Sequence, residues 1–310
     1  MITKQTLTWG FMVSLVLAAA CWGFGALMSK YALEQIPPLT LLMVQLFVSV
    51  ALLWPAVLMH GGRVRLNRDA LRLGLIGILN PGLAYMFSLI GLSRTTASMS
   101  ALLWAAEPIL IIGFAWLLLC ERLTWPLLAC AALAIIGVGV IAGLDVWGGG
   151  ASSLIGNLLI AIGVCCCALY TVLTRRMVAT HSPLLIVALQ QTAALLWALL
   201  IWPVELWNAG ATHLTAIPLR FWAWGAVSGL VYYALAFWLY LIGLQQAPAS
   251  LAALFLNLIP IFGVGGAYLL LGERLTLAQW GGALLILAAV VTIVRLQQQP
   301  APAQVTPQAS

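Results

Sequence analysis

Long apolar runs, separated by short polar or turn-rich segments, follow one another along almost the whole chain. A helix that crosses the hydrocarbon core of a bilayer needs about 20 mostly apolar residues. Runs of that length predict ten spanning helices, at residues 8–29, 39–59, 71–92, 97–118, 125–143, 154–174, 184–206, 219–244, 249–271 and 277–295. The connections are too short to hold a soluble domain, and the Gln-, Pro- and Ala-rich tail 297–310 is predicted to be disordered.

Composition supports a chain that is surrounded by lipid. Of its 310 residues, 64% are hydrophobic and only 6% are charged, whereas a soluble domain is about one quarter charged. The net charge of +6 is not arranged as an interleaved basic and aromatic patch, so nucleic acid is not an expected partner. The expected partners are the lipid bilayer and a small-molecule substrate, and the oligomeric state is left open.

The basic residues predict how the chain is oriented in the membrane. With the amino terminus in the cytoplasm, nine Lys and Arg residues fall on the inner side and four on the outer side. Basic residues concentrate on the cytoplasmic side of membrane proteins. We therefore expect a multi-pass protein of the cell membrane with both termini cytoplasmic.

One eight-residue segment occurs twice, as LLLCERLT at 117–124 and as LLLGERLT at 269–276. At this offset of 152 residues, the whole stretch 91–124 aligns with the second half without a gap. Its Glu-Arg pair is interpreted as the polar turn of a helix hairpin, followed by the helix cap Thr124, with a charged gate as the alternative.

The two copies indicate an internal duplication. Earlier in the chain, Pro38 and Gln45 align with Pro183 and Gln190 at an offset of 145. We predict an all-α polytopic membrane protein made of two five-helix repeats, 1–145 and 146–296, followed by the tail. Because five is odd, the second repeat is inverted in the membrane. Inverted repeats recur in secondary transporters, with the substrate site near the midplane between them.

Residues 249–290, ASLAALFLNLIPIFGVGGAYLLLGERLTLAQWGGALLILAAV, resemble the second-repeat signature of the EamA type within the drug/metabolite transporter superfamily. Residues 97–140 resemble the first-repeat counterpart, with Cys120 where the signature usually has Gly. The resemblance implies a ten-helix carrier of a bacterial inner membrane that exports small organic metabolites. Similar members include bacterial exporters of aromatic and other amino acids, so amino acids are the first substrates expected. Other amphipathic metabolites or drugs are the alternative.

Glu107 is the one acid that falls well inside a predicted span. An ionisable group at membrane depth is costly and faces the protein interior. It is a candidate proton carrier or partner of a substrate ammonium, and the alternative is a carboxylic acid that hydrogen-bonds a broken helix. Pro108 removes a backbone hydrogen bond beside it and predicts a helix break. The aligned residue of the second half is Ile259, so the acid is not duplicated.

Other polar residues interrupt the predicted spans. Asn80-Pro81 breaks the third span, and Asn257 with Pro260 breaks the ninth. Broken helices at membrane depth expose backbone and side-chain dipoles where a binding site needs them. The equivalent residues Gln45 and Gln190 are further candidates to contact substrate, with interhelical hydrogen bonding as the alternative.

Aromatic residues within spans suggest a surface for a flat or apolar side chain. Core packing or lipid contact is the alternative for each of them. The candidate substrate-binding aromatics are Trp22, Tyr85, Trp104, Tyr170, Tyr233 and Trp238, and Tyr232 and Phe237 lie near them in the sequence.

The sequence contains none of several common catalytic motifs. It contains no H-E-x-x-H, G-x-S-x-G or phosphate-loop motif, and its six Cys form no C-x-x-C pair. No metal, cofactor or enzymatic activity is therefore expected, and the Cys run 165–167 is interpreted as small packing residues. A channel or a membrane partner protein remains the alternative of a different class, although no ring of repeated charges is present.

Overall fold

The computed structural model describes residues 9–60, 68–92, 103–104, 106–121, 123–142, 154–178, 181–209, 212–259, 261–263, 265–266 and 277–298. Within these ranges the regular secondary structure is entirely helical. The first helices are α1 (Trp9–Ala32), α2 (Pro38–Met59), α3 (Arg68–Gly77), α4 (Ala84–Leu92), α5 (Glu107–Leu119) and α6 (Trp125–Ala142). They are followed by α7 (Leu154–Val178), α8 (Pro183–Ala209), α9 (Thr212–Thr215), α10 (Leu219–Ser228), α11 (Ala236–Gln246), α12 (Ala249–Leu256) and α13 (Leu277–Gln298).

Six apolar helical stretches are long enough to cross a membrane. They are Gly10–Ser29, Pro38–Met59, Ala70–Gly91, Leu154–Val178, Pro183–Trp207 and Leu219–Gln246. Each coincides with a predicted span. Shorter apolar helices, Glu107–Leu119, Trp125–Gly137, Ala249–Gly263 and Trp280–Thr292, lie in the other four predicted runs. The all-helical, polytopic class of the prediction is thus confirmed for the described residues.

Two of the long stretches contain a π-helical segment, and in the first of them the helix is kinked at Asn80. The first segment, Ile78–Leu83, joins α3 to α4, and the second, Gly229–Leu235, joins α10 to α11. Asn80 leaves the helical conformation, with φ −151° and ψ 125°, and the Asn80–Pro81 peptide is cis. At the offset of 152 residues the first segment falls on the second, so the two halves carry the irregularity at equivalent places.

A glycine at the start of each π-helical segment allows a close helix contact. A Cβ atom on Gly229 would lie 2.6 Å from the carbonyl oxygen of Gln45 in α2. A Cβ atom on Gly77 would collide with the backbone of Gln190 in α8. Since Gln45 and Gln190 are equivalent residues of the two halves, the same backbone-to-backbone contact is made twice.

Other helix pairs also make equivalent contacts when the two halves are interchanged. Helix α1 packs against α11 as α4 packs against α7, and α2 packs against α8 as α6 packs against α13. Gly243 abuts Leu15, and Gly91 abuts Ile160, the residue equivalent to Leu15. Close helix approach through small residues is how helices associate in lipid, where no hydrophobic force drives them together.

The first copy of the repeated segment clamps two helices from different halves. Cys120 ends α5 in the left-handed conformation, with φ 55°, and the Glu121 amide donates to the Ala115 carbonyl. The Glu121 carboxylate accepts hydrogen bonds from the amides of Ala249 (2.9 Å) and Ser250 (3.2 Å) and from the Ser250 hydroxyl. It thereby caps the free N–H groups of α12. The second copy lies outside the described residues.

A second carboxylate does the same at α2. Glu205 of α8 accepts hydrogen bonds from the amides of Leu39 (2.9 Å) and Thr40 (2.7 Å) and from the Thr40 hydroxyl (2.8 Å). A negative charge at a helix amino terminus is favourable because the backbone dipoles point their positive ends there. A carboxylate from each half therefore caps the first turn of one helix of the other half.

Candidate functional site

Glu107 is buried at the centre of a helix junction. It is the first residue of α5 and only 7% exposed. The Cys167 thiol of α7 shares a hydrogen bond with its carboxyl group, and Tyr232 and Tyr240 lie close enough to interact electrostatically with it. Pro108, in the first turn of α5, lacks only an N–H that has no partner inside the helix. The local sequence thus starts a helix with an acid facing inward.

The break at Asn80 brings a second polar group to this acid. The Asn80 side-chain amide donates to the Cys167 sulfur at 3.2 Å, so Glu107, Cys167 and Asn80 form one polar cluster. The other amide atom, Oδ1 of Asn80, is buried and has no hydrogen-bond partner. An unpaired buried acceptor costs free energy unless a ligand satisfies it. The polar cluster therefore offers a carboxyl group and a free carbonyl oxygen.

Aromatic side chains continue from the polar cluster as one connected aromatic cluster. Tyr85 is the link, because its ring centroid lies 6.2 Å from Trp104, 5.6 Å from Tyr232 and 5.5 Å from Tyr233. Tyr233 stacks on Phe237 at 6.2 Å. The rings come from α4, the second π-helical segment and α11, so both halves contribute.

The far end of the aromatic cluster lies around Trp22 of α1. Its ring is 5.4 Å from Phe237 and 5.3 Å from Tyr240, both in edge contact. The Trp22 indole N–H is buried without a hydrogen-bond partner. Tyr170 contacts Phe237 at 6.0 Å, and its hydroxyl donates to Gln190 Oε1 at 2.8 Å. Gln190 is thus attached to the edge of the aromatic cluster.

Each of the two equivalent glutamines donates a hydrogen bond to a hydroxyl group at an equivalent position. Gln45 donates to Ser29 Oγ at 2.9 Å, and Gln190 donates to Thr174 Oγ1 at 3.2 Å. Ser29 and Thr174 are equivalent at the offset of 145. Gln45 also donates to Ser228 Oγ at 2.7 Å. These bonds support the interhelical alternative for Gln45.

The structure does not bring every candidate to the two clusters. Trp238 is partly buried and packs on the core. Asn257 is buried, and its amide donates to the Leu254 carbonyl of its own helix at 3.2 Å. Pro260 lies outside the described residues. The candidates that meet are Trp22, Asn80, Tyr85, Trp104, Glu107, Tyr170 and Tyr233, with Pro81 beside Asn80 and Gln190 at the edge.

Sequence reasoning missed the polar role of Cys167. The Cys run was interpreted as packing, yet this thiol joins Glu107 to Asn80. Tyr240 was missed as well, although it contacts Trp22. A signal was available, because the offset of 145 places Cys167 on Trp22, a residue chosen as a candidate. Among the described residues no three His, Cys, Asp or Glu side chains are grouped as a metal site would require.

The family model and the curated relatives that match the chain are described as transporters. The model of the EamA-like transporter family matches the chain twice, over residues 9–143 and 154–295. The uncharacterized transporter YetK of Bacillus subtilis is 26% identical over 300 residues, covering 94% of this chain and 88% of YetK. An uncharacterized transporter of Archaeoglobus fulgidus is 22% identical over 290 residues, covering 91% of this chain and 98% of its own.

Two further relatives extend the comparison. The uncharacterized inner membrane transporter YicL of Salmonella typhimurium is 26% identical over 302 residues, with 91% of this chain and 94% of YicL covered. A solved crystal structure superposes with a TM-score of 0.77 at 19% identity, covering 92% of this chain and 98% of that chain. At this identity the superposition shows a shared fold.

Proposed function

Because the chain belongs to the EamA-like transporter family, we propose that it is a secondary-active, alternating-access exporter of small amphipathic metabolites, with amino acids, including aromatic ones, as its first substrates. One observation carries the proposal. Glu107, the one buried acid among the described residues, and a connected set of aromatic rings meet where helices of both halves converge. A site at such a junction can be exposed to either side when the halves move.

The proposed architecture is ten spanning helices in two inverted five-helix repeats, 1–145 and 146–296. It is supported by the two matches to one family model and by the equivalent contacts of Gly77 with Gln190 and of Gly229 with Gln45. In such a carrier the two halves rearrange around the shared site. The π-helical segments lie at that site in both halves, where a change of backbone conformation would alter access to it.

Glu107 is the proposed coupling residue. A carboxyl group at membrane depth is stable when it is neutral, or when a cationic partner neutralises it. Binding either a proton or a substrate ammonium at this one group would link the proton gradient to substrate movement. The Cys167 thiol and Asn80 hold the carboxyl group in place for both partners.

The proposed location is a bacterial inner membrane, with both termini in the cytoplasm. YicL is named as an inner membrane transporter, and the distribution of Lys and Arg supports this orientation. With the first helix leaving the cytoplasm, the Glu121 clamp lies on the cytoplasmic side and the Glu205 clamp on the outer side. In the proposed orientation, the two carboxylate caps therefore lie on opposite sides of the membrane.

The direct test is counterflow in proteoliposomes. Vesicles loaded with unlabelled phenylalanine are placed in labelled phenylalanine, and its entry is compared with entry into unloaded vesicles. A carrier gives faster entry into loaded vesicles. Equal entry that depends only on the external concentration would indicate a channel, and no entry above protein-free vesicles would remove amino acids as substrates.

A substitution of Glu107 tests its proposed role in coupling transport to protons. Glu107→Gln should abolish accumulation driven by a pH gradient and retain counterflow at saturating substrate, because the amide oxygen still accepts a hydrogen bond from an ammonium group but the amide cannot release a proton. Glu34→Gln removes an exposed carboxylate and serves as the matched control. Proton-driven accumulation that persists in Glu107→Gln would exclude the coupling role.

A further inference from the structure

The two halves differ in a regular way at the site, although their packing contacts are shared. At the offsets of 145 and 152, each polar member of the site aligns with a residue of different character. The aligned pairs are Cys167 with Trp22, Asn80 with Tyr232, Tyr85 with Phe237, and Glu107 with Ile259. Cys167, Asn80, Tyr85 and Glu107 lie at a polar pole, which Tyr232 also adjoins. Trp22 and Phe237 lie with Tyr240 at an aromatic pole.

The polar pole contains hydrogen-bond acceptors suited to a cation. Glu107 supplies a carboxyl group, and Asn80 supplies a buried carbonyl oxygen that has no partner. The rings of Tyr85 and Tyr232 lie beside it, in edge-to-face contact with their centroids 5.6 Å apart. The face of an aromatic ring carries the negative potential that attracts cations. An ammonium group is both a cation and a hydrogen-bond donor, so its chemistry suits a carboxylate, a carbonyl oxygen and a ring face.

The aromatic pole suits a flat apolar body. Trp22, Phe237 and Tyr240 are in edge contact with ring centroids 5.3–5.4 Å apart, a geometry that a further aromatic ring can join. The poles are continuous, because Tyr85 contacts Tyr233 and Tyr233 stacks on Phe237. A ligand that spans them has its cationic and aromatic ends separated.

A substrate carboxylate finds no cationic partner here. Among the residues that the structure describes, no Lys, Arg or His belongs to either pole. The negative charge of a zwitterion would instead be placed near Glu107, where like charges repel in a low-dielectric environment. The buried groups therefore select the amine end of an amino acid and give its acid end nothing of opposite charge.

From this asymmetry we infer that the ligand is recognised as an aryl-alkyl ammonium ion, with its amine at Glu107 and Asn80 and its ring toward Trp22 and Phe237, and that a carboxylate is dispensable. This inference rests on the proposed function, since it names the chemistry that the same site selects. It adds aromatic amines and amino-acid esters to the amino acids of the proposed function as ligands of the same site.

The test compares three probes of one shape on the purified full-length protein in detergent. 2-Phenylethylamine carries only the amine, phenylalanine carries amine and carboxylate, and 3-phenylpropionate carries only the carboxylate. Competition against labelled 2-phenylethylamine gives the three affinities. We expect the amine to bind at least as tightly as phenylalanine, and 3-phenylpropionate to be weaker than the amine by about tenfold or more, the scale of one lost charge interaction.

Either of two results, measured with the unmodified protein, would overturn the inference. One is 3-phenylpropionate binding as tightly as the amine, and the other is phenylalanine binding tenfold or more tighter than the amine. In the variants, Glu107→Gln should weaken the amine by about tenfold or more, and Glu34→Gln should leave its affinity unchanged. Unchanged affinity in a folded Glu107→Gln protein, as judged by its elution volume, would also overturn it.

Binding and transport separate this inference from the proposed function. Amine binding with no counterflow of any probe would contradict the carrier and leave the ligand assignment standing. Counterflow of phenylalanine without competition by 2-phenylethylamine would establish the carrier and refute the ligand assignment.

Discussion

Substitution of Gly229 by Ala tests how closely the second π-helical segment approaches α2. The added Cβ would lie 2.6 Å from the carbonyl oxygen and 2.8 Å from the Cα atom of Gln45. Optimal carbon contacts are about 3.5–4.0 Å, so the two backbones must separate by roughly 1 Å. Both neighbouring atoms belong to the backbone, and no side-chain rotation relieves the contact.

The expected cost follows from overpacking. Added methyl groups in a packed interior cost about 1–3 kcal/mol, and Ala recovers up to about 1 kcal/mol over Gly within a helix. Separation of the helices also strains the Gln45 bond to Ser228, which is 2.7 Å long. The net destabilisation should be about 1–2 kcal/mol, which corresponds to roughly 2–6 °C in the unfolding midpoint.

Thermal unfolding in detergent, followed by tryptophan fluorescence, measures the difference. Gly113→Ala is the matched control, because a Cβ at this helical position meets nothing within 4 Å, and its midpoint should be unchanged or higher. Gly77→Ala should lower the midpoint as Gly229→Ala does, since it faces the Gln190 backbone in the same way. A Gly229→Ala midpoint equal to that of Gly113→Ala would refute the close approach.

Two further predictions concern the segment that follows α5. Cys120→Gly should raise the unfolding midpoint, because a non-glycine residue with φ 55° costs about 1 kcal/mol relative to Gly. A lower midpoint would mean that the Cys120 side chain contributes packing. Glu121→Gln should lower the midpoint by the loss of a charged cap, about 1–2 kcal/mol, whereas Glu34→Gln should not; equal midpoints for the two variants would contradict the clamp.

The helices could be predicted from the sequence because lipid imposes a simple rule. Backbone groups in a bilayer must be paired within the segment, so a long apolar run has to be helical. The break at Asn80 was visible for a related reason, since Pro81 removes an amide donor. The second π-helical segment was not visible, because Gly229–Leu235 contains neither Pro nor Asn; in the structure it packs against α2.

The burial of Glu107 could be predicted from the sequence, and its contact with Cys167 could not. Glu107 is conspicuous because a carboxyl group at membrane depth needs a reason. Cys167 is not, because Cys is common among buried apolar residues and acts as a weak hydrogen-bonding group only when the fold places a partner beside it. Asn257 shows the converse, since it is polar and buried, yet its amide bonds its own helix at Leu254.

The packing contacts recur at equivalent positions of the two family matches, whereas the acid of the candidate site does not. Helix contacts such as those of Gly77 and Gly229 meet the same physical demand in both halves, so they keep the same residue. A single small ligand has different ends, and two equivalent carboxyl groups at one junction would repel each other in a low-dielectric environment. With Ile259 in place of a second acid, one carboxyl group is left to be neutralised, and in the proposed carrier one proton or one ammonium would do so.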